Sequence, residues 1–178
     1  LDLNDLANTR TGSAKASIDP KTGQIQGSGI FSPSFGTGKY EAFFCMDFKG
    51  VEMPSSSIWE GIGTLVNVTT KEFVGYSHGG TLSMFDPPRG NDHILTRVGL
   101  SLISSSQACQ NAESEIPKFD FGKVRKAAEN EWRKKFDVIK VVRGGIDKDL
   151  EAIFWSGFYR TMISPQDYTG ENPLWNST

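Results

Sequence analysis

The chain has 178 residues, of which 37% are hydrophobic and 22% are charged, a composition typical of globular rather than disordered proteins. Lysine and arginine number 19 against 21 aspartate and glutamate, and the longest basic cluster is Arg133-Lys134-Lys135, which argues against a nucleic-acid partner. No apolar run approaches the roughly 20 residues that a membrane-spanning helix needs. We therefore expect neither nucleic acid nor a membrane as a partner.

The two ends of the sequence lack the marks of natural termini. The chain begins at Leu1 without an initiator methionine or a signal-peptide pattern, and it stops at Thr178 without a closing structural element. We expect an internal piece of a longer polypeptide, and the remainder of that polypeptide would be its main partner.

The residues from Ala14 to about Ile103 are rich in glycine, serine, threonine and aromatics, with short apolar alternations between turn signals. This pattern predicts an antiparallel β unit. Pro20 and Gly23 predict a hairpin loop after a first strand, and a strongly alternating strand starts at Tyr40, with Cys45 on its more polar face. Further strands are predicted over 58–66, 72–76, 80–85 and 94–103.

After Ser104 the apolar period becomes helical. Ser105 or Ser106 is expected to cap a short helix that ends before Pro117. Asp120 is expected to cap a second, amphipathic helix, which the ion pairs Glu129–Arg133 and Glu131–Lys135 would support. Asp147 is expected to cap a third helix that runs to Ile163 before Pro165. This third helix is apolar nearly all round, which predicts burial on most of its sides.

Several blocks of the sequence resemble glycoside hydrolase family 92, and in particular its fungal branch. The first runs from Arg97 to Ser104 and continues through Gln107-Ala108, Asn111-Ala112-Glu113, Glu115-Ile116-Pro117, Phe119-Asp120-Phe121, Val124-Arg125, Ala127-Ala128 and Glu131-Trp132. The second runs from Ile153 to Trp175 and includes Ser164-Pro165-Gln166-Asp167-Tyr168-Thr169-Gly170-Glu171-Asn172-Pro173. A looser likeness covers Gly27-Ser28-Gly29 and the strand that begins at Tyr40.

The resemblance implies an α+β fold: part of an antiparallel β-sandwich, then a helical linker and the first helix of an α/α toroid. The corresponding domains are residues 1–103, 104–146 and 147–178. It also implies a secreted, calcium-dependent, inverting α-mannosidase that acts on mannose-containing glycans. In the family, the catalytic acid, the catalytic base and the calcium ligands follow the position at which this chain stops, so no catalytic or metal-binding residue is carried over to it.

Six residues are candidates for sugar contact, because aromatic and carboxylate side chains can stack on and hydrogen bond with a sugar. They are Gln166, Asp167, Tyr168 and Glu171 after the third helix, His78 in the segment Tyr76-Ser77-His78-Gly79-Gly80, and Trp59. The alternative for the four residues after the third helix is a domain-interface loop fixed by Pro165 and Pro173. The alternative for His78 is a histidine in a hairpin turn without a ligand. A non-catalytic carbohydrate-binding or structural β-sandwich module is the competing function.

Two further features bear on secretion. Asn67 and Asn176 begin N-glycosylation triplets, which accept glycans only in a eukaryotic secretory pathway. Cys45 and Cys109 either form a single disulfide or remain buried free thiols. With two histidines and two separated cysteines, the sequence contains no zinc-ligand spacing.

Overall fold

The computed structural model describes residues 1–3, 10–33, 36–50, 52–61, 63–65, 68–75, 77–86, 93–142, 144–145 and 147–163. The chain divides into two compact units, Leu1–Phe121 and Gly122–Thr178. The first unit contains the strands and one helix, and the second contains the remaining two helices. None of the helices in the described ranges is long and apolar enough to cross a membrane.

The described part of the first unit contains two antiparallel sheets. A five-stranded sheet has the order β6-β1-β2-β3-β8 and a three-stranded sheet has the order β5-β4-β7. The strands are β1 Arg10–Ile18, β2 Ile25–Phe31, β3 Tyr40–Lys49, β4 Glu52–Glu60, β5 Gly63–Leu65, β6 Thr70–Phe73, β7 Gly79–Asp86 and β8 Leu95–Ser101.

The turn between β1 and β2 follows from its sequence. The Asp19 side chain accepts hydrogen bonds from the backbone N–H of Lys21 and the hydroxyl of Thr22, at 2.8 and 2.9 Å. Gly23 closes the turn with φ of 73°, a conformation that glycine adopts without steric cost. The predicted hairpin is confirmed, because Ile18 pairs with Ile25 immediately beyond the loop.

The hydrophobic core lies between the two sheets. Its buried members are Ala14, Ala16, Ile18, Ile25, Ile58 and Phe73, with Leu3, Phe44, Met46, Phe48 and Val68 packed against them. Ile58 belongs to the three-stranded sheet, whereas most of the others belong to the five-stranded sheet. The rings of Phe48 and Phe85 also meet across the two sheets with centroids 4.9 Å apart. The predicted class of fold, antiparallel sheets in a sandwich followed by helices, is therefore confirmed.

The predicted strand over 58–66 is wrong. The structure has β4 ending at Glu60 and β5 starting at Gly63, with Glu60 paired to Gly63 across a tight turn. Gly61 adopts φ of 61°, a left-handed conformation that interrupts a strand. The apolar residues on either side of this glycine belong to two antiparallel strands instead of one.

Helix α1, Ser105–Glu115, packs on the face of the five-stranded sheet opposite the core. Its N-cap is Ser104, one residue before the predicted caps, and the Ser104 side chain accepts a hydrogen bond from the backbone N–H of Gln107. Ala108 and Ala112 are buried on β8. A Cβ at Gly99 would overlap the carbonyl oxygen of Ala108, so glycine at this position permits the close contact.

A disulfide joins Cys45 on β3 to Cys109 on α1, with Cα atoms 5.1 Å apart. Of the two alternatives left open by the sequence, the structure therefore has the bridge. Cys45 is fully buried, because α1 covers the face of β3 that carries it. That face carries both polar and apolar residues in the sequence, yet it is buried under α1.

The second unit contains α2, Phe121–Phe136, and α3, Lys148–Ile163. Their aromatic side chains meet: Trp132 and Tyr159 have ring centroids 4.6 Å apart, and Phe136 contacts both Trp155 and Phe158. The predicted cap of α3 is confirmed, since the Asp147 side chain accepts a hydrogen bond from the backbone N–H of Asp149 at 3.2 Å.

The ion pairs predicted on α2 are wrong. The glutamates of α2 pair differently from the prediction: Glu129 with Arg125 at 3.4 Å and Glu131 with Lys134 at 2.6 Å. Ile153 on α3 is 68% exposed, and burial of α3 on most sides, which would need further helices of a larger domain, stays a prediction. The aromatic contacts with α2 cover only one of its faces.

Candidate functional site

The predicted site residues fall into two groups. Trp59 and His78 lie within the described residues, at the end of the three-stranded sheet where β4 and β7 pair. The other candidates and both glycosylation positions lie outside the described residues: Gln166, Asp167, Tyr168, Glu171, Asn67 and Asn176. The candidate site is therefore built around the chain segment that leads from β6 into β7 and carries His78.

Arg10 anchors this segment from β1. Its guanidinium donates hydrogen bonds to the carbonyl oxygens of Gly75 and Ser77, and also to Gly12 on its own strand. Arg10 is 2% exposed, and burial is the main cause that lowers its pKa from the ordinary value, while the charge of Asp2 opposes the shift. Carbonyl dipoles solvate the buried cation and in return fix the segment.

Glu60 holds the same segment from β4. Its Oε1 accepts a hydrogen bond from the Ser77 hydroxyl at 2.6 Å, and its Oε2 lies 3.0 Å from Lys71 Nζ on β6. The hydrogen bonds from Ser77 and Lys71, in that order, lower the pKa of Glu60. The Glu60–Lys71 ion pair also links the two sheets at this end of the sandwich.

Trp59 lies one ladder position from Glu60 and pairs with Gly80 on β7. The Trp59 Nε1 atom lies 3.1 Å from the point where a Cβ of Gly80 would stand, and such a Cβ would also overlap the carbonyl oxygen of Leu1. Leu1 accepts a hydrogen bond from the backbone N–H of Thr81 at 3.1 Å. Glycine at position 80 thus makes room for both the indole and the first residues of the chain.

These groups are suited to recognition rather than to bond cleavage. A general acid in glycoside hydrolysis needs a raised pKa, so that it holds its proton at working pH. Glu60 has the opposite environment, since its partners favour the carboxylate. The described residues include no group of three acidic, histidine or cysteine side chains that could hold a metal ion, so they do not fit a calcium site.

Sequence reasoning missed Arg10 and Glu60. A signal for Arg10 exists in the sequence, because Arg10 occupies the same alternating series as the core residues Ala14, Ala16 and Ile18 on β1. A charge in an inward-facing series predicts a buried partner. Glu60 carries no comparable signal, since its partners Ser77 and Lys71 are 17 and 11 residues away in sequence.

A second polar cluster lies between the five-stranded sheet and the end of α1. Arg97 binds Asp47 through Nε and Nη2, at 3.1 and 2.7 Å, and donates from Nη1 to the carbonyl oxygen of Ile116 at 2.9 Å. The ring of Phe119 stacks on this guanidinium at 4.9 Å. The cluster fixes the segment that follows α1 to the sheet.

Comparisons with known proteins agree with this architecture. The profile described as "Glycosyl hydrolase family 92 catalytic domain" matches residues 107–177. An uncharacterized secreted glycosidase from Arthroderma benhamiae is 42% identical over 185 residues, which cover 99% of this chain and 24% of the relative. The chain thus spans about a quarter of the length of that relative.

A solved structure, that of the family GH92 inverting mannosidase from Bacteroides thetaiotaomicron, matches with a TM-score of 0.72. The match covers 89% of this chain and 20% of the other, at 24% identity, and at that identity it shows a shared fold. Together, the family model, the fungal relative and the shared fold show that this chain is similar to part of a glycoside hydrolase. Within that class, residues 107–177 are similar to the catalytic domain of glycoside hydrolase family 92.

Proposed function

We propose that this chain is the sandwich-and-linker part of a secreted glycosidase that removes terminal α-linked mannose, with inversion, from mannans or N-glycans. The observation that carries the proposal is the 42% identity to a secreted glycosidase over 99% of the chain. The fold shared with an inverting mannosidase supports the choice of mannose and of inversion.

Inverting hydrolysis needs one carboxylic acid to protonate the leaving oxygen and one carboxylate to activate water, about 6.5–9.5 Å apart. Glu60 does not suit the acid role, because its hydrogen bonds lower its pKa. We infer that both carboxylates, together with the ligands of a calcium ion, belong to parts of the polypeptide outside this chain. The described residues then act as a scaffold, in which side chains such as Arg10, Glu60 and Arg97 hold neighbouring chain segments in place.

Secretion is supported by the chemistry of the chain. Disulfides persist in oxidising compartments and are rare in the cytosol, and Cys45 and Cys109 are bridged. The fungal relative is described as secreted. N-glycosylation at Asn67 and Asn176 belongs to the same proposal, and mass spectrometry of the secreted protein before and after glycan removal tests it.

The activity is tested on the intact protein with α-1,2-linked mannobiose. We expect release of mannose that stops when a calcium chelator is added and returns when calcium, but not magnesium, is restored. Release that is insensitive to the chelator would contradict the calcium requirement, whereas no release from any α-mannoside would contradict the mannosidase function itself.

One observation favours the second candidate function, a non-catalytic carbohydrate-binding module. Trp59 and His78 offer recognition chemistry in a part of the chain where the described carboxylate, Glu60, is unsuited to catalysis. A module of this kind would bind mannosides without cleaving them. Calorimetric binding without product formation by the intact protein would favour it over the mannosidase.

A further inference from the structure

Two side chains at the end of the three-stranded sheet have polar groups without a partner among the described residues. The indole of Trp59 is half-buried and its N–H donates to none of them, and the imidazole of His78 is exposed and likewise makes no hydrogen bond with them.

The strand register brings these two residues to one surface. Trp59 pairs with Gly80 and Glu60 with Gly79, and the pairing continues where the backbone N–H of Gly61 donates to the carbonyl oxygen of His78 at 2.9 Å. Side chains at alternate positions lie on the same face of a sheet. His78 precedes the first residue of β7 and is two positions from Gly80, the partner of Trp59, so the two residues lie near each other at this end of the sheet.

The surface is also held rigidly. The segment before His78 is fixed by Arg10 through the carbonyl oxygens of Gly75 and Ser77, and by Glu60 through the Ser77 hydroxyl. Anchors on two different strands, one in each sheet, hold a segment in which the His78 backbone is bonded to Gly61 while its imidazole makes no hydrogen bond with the described residues. Preorganisation of this kind lowers the entropic cost of binding a ligand.

Three charged groups near this surface, those of Glu60, Lys71 and Arg10, are already engaged. Glu60 is paired with Lys71, and the guanidinium of Arg10 is directed at backbone carbonyls. An acidic or basic ligand would find no free counter-charge among these three groups. The combination of an aromatic ring with neutral donors and acceptors suits a neutral sugar, which stacks on the ring and exchanges hydrogen bonds through its hydroxyl groups.

We propose that Trp59 and His78 form a contact site for one neutral hexose residue of a glycan, in which the indole stacks on the sugar ring and the imidazole hydrogen bonds with its hydroxyl groups. This proposal rests on the proposed function for the nature of the ligand. It assigns the site to glycan binding and gives it no part in bond cleavage.

The test compares His78→Ala, Trp59→Phe and Trp59→Ala with the unaltered intact protein, using α-linked manno-oligosaccharides as substrate. We expect His78→Ala and Trp59→Ala each to raise KM about three- to ten-fold with unchanged kcat, and Trp59→Phe to lose less because it keeps an aromatic face. His78 is exposed, so its variant keeps the fold and the test does not depend on Trp59→Ala. The matched control is Val74→Ala, an alteration of a residue 79% exposed in the same segment, which should leave KM unchanged.

Binding of S-linked α-mannobiose, a non-hydrolysable probe, separates failure of this proposal from failure of the proposed function. If the unaltered protein releases mannose but His78→Ala and Trp59→Phe keep its KM and its affinity for the probe, the contact site is wrong and the function stands. If the protein releases no mannose, the proposed function fails. In that case, probe binding that His78→Ala abolishes still supports the contact site, and lack of probe binding overturns it.

Discussion

Arg97 on β8 binds Asp47 on β3 through two nitrogen atoms, at 3.1 and 2.7 Å from the same carboxylate oxygen. Both side chains are nearly buried, with 10% and 15% of their surface exposed. The same guanidinium holds the carbonyl oxygen of Ile116 and the ring of Phe119. One residue thus connects the sheet, the end of α1 and the segment that follows it.

Replacement of Arg97 by methionine should be strongly destabilising, because it leaves the Asp47 carboxylate buried without its cation. We expect a loss of about 3–5 kcal/mol, typical of breaking a buried pair by removal of one partner, measured by calorimetric unfolding. The control is Arg125→Met, in which an exposed pair with Glu129 is removed and about 0.5 kcal/mol or less is lost. Equal losses for the two variants would show that the Arg97 cluster has no special role.

The disulfide closes a span of 64 residues between Cys45 and Cys109. The double variant Cys45→Ala/Cys109→Ala should lose about 2–5 kcal/mol of stability, since the bridge restricts the unfolded chain. Thermal unfolding of the variant and of the native protein with and without a reductant measures the loss. We expect the reductant to lower the melting temperature of the native protein but not that of the variant, and a shift common to both would contradict the assignment.

Addition of a single methyl group at Gly99 should displace α1. A Cβ at this position would overlap the carbonyl oxygen of Ala108 and press on the Ala112 side chain, and overpacking of this kind costs about 1–3 kcal/mol. The control is Gly144→Ala, where nothing lies within 4 Å of the added atom. Equal melting temperatures for Gly99→Ala and Gly144→Ala would contradict the close packing of α1 on Gly99.

The hydrogen bonds of Glu60 make part of the stability dependent on pH. Because Ser77 and Lys71 lower the pKa of Glu60 below its ordinary value of 4.5, their contribution is present above that pH and disappears as the pH falls through the lowered pKa. Glu60→Gln should weaken this acid dependence, measured as melting temperature between about pH 3 and pH 7. The control is Glu72→Gln, which removes an exposed pair with Lys15 at 3.8 Å; an identical effect of both variants would contradict the role of Glu60.

The fold was largely predictable because its signals are local. Gly23 and the residues around it specify the first hairpin, and the change of period after Ser104 marks the helices. The end of β4 before Gly61 was not predicted, because apolar residues lie on both sides of this glycine. The sequence pattern therefore predicts one strand where the structure has two paired strands. The face of β3 that carries Cys45 is the more polar one in sequence, and only the three-dimensional structure reveals that α1 covers it.

The candidate site was predictable only in part. Trp59 and His78 are conspicuous in sequence, but their common surface depends on the register of β4 with β7. The anchors Arg10 and Glu60 act across strands from different sheets, and such pairing leaves no short-range pattern. The predicted boundaries at 103/104 and 146/147, and the assignment of α3 to a toroid, stay predictions.

The most direct test of the mannosidase assignment is the anomeric form of the sugar first released from α-1,2-linked mannobiose by the intact protein, followed by proton NMR. Hydrolysis with inversion places the incoming water oxygen on the opposite face of the sugar ring. We predict that the β-mannose signal appears first and that the α-mannose signal grows later through mutarotation. Initial release of α-mannose would contradict the inverting mechanism, and no release of mannose would contradict the assignment as a whole.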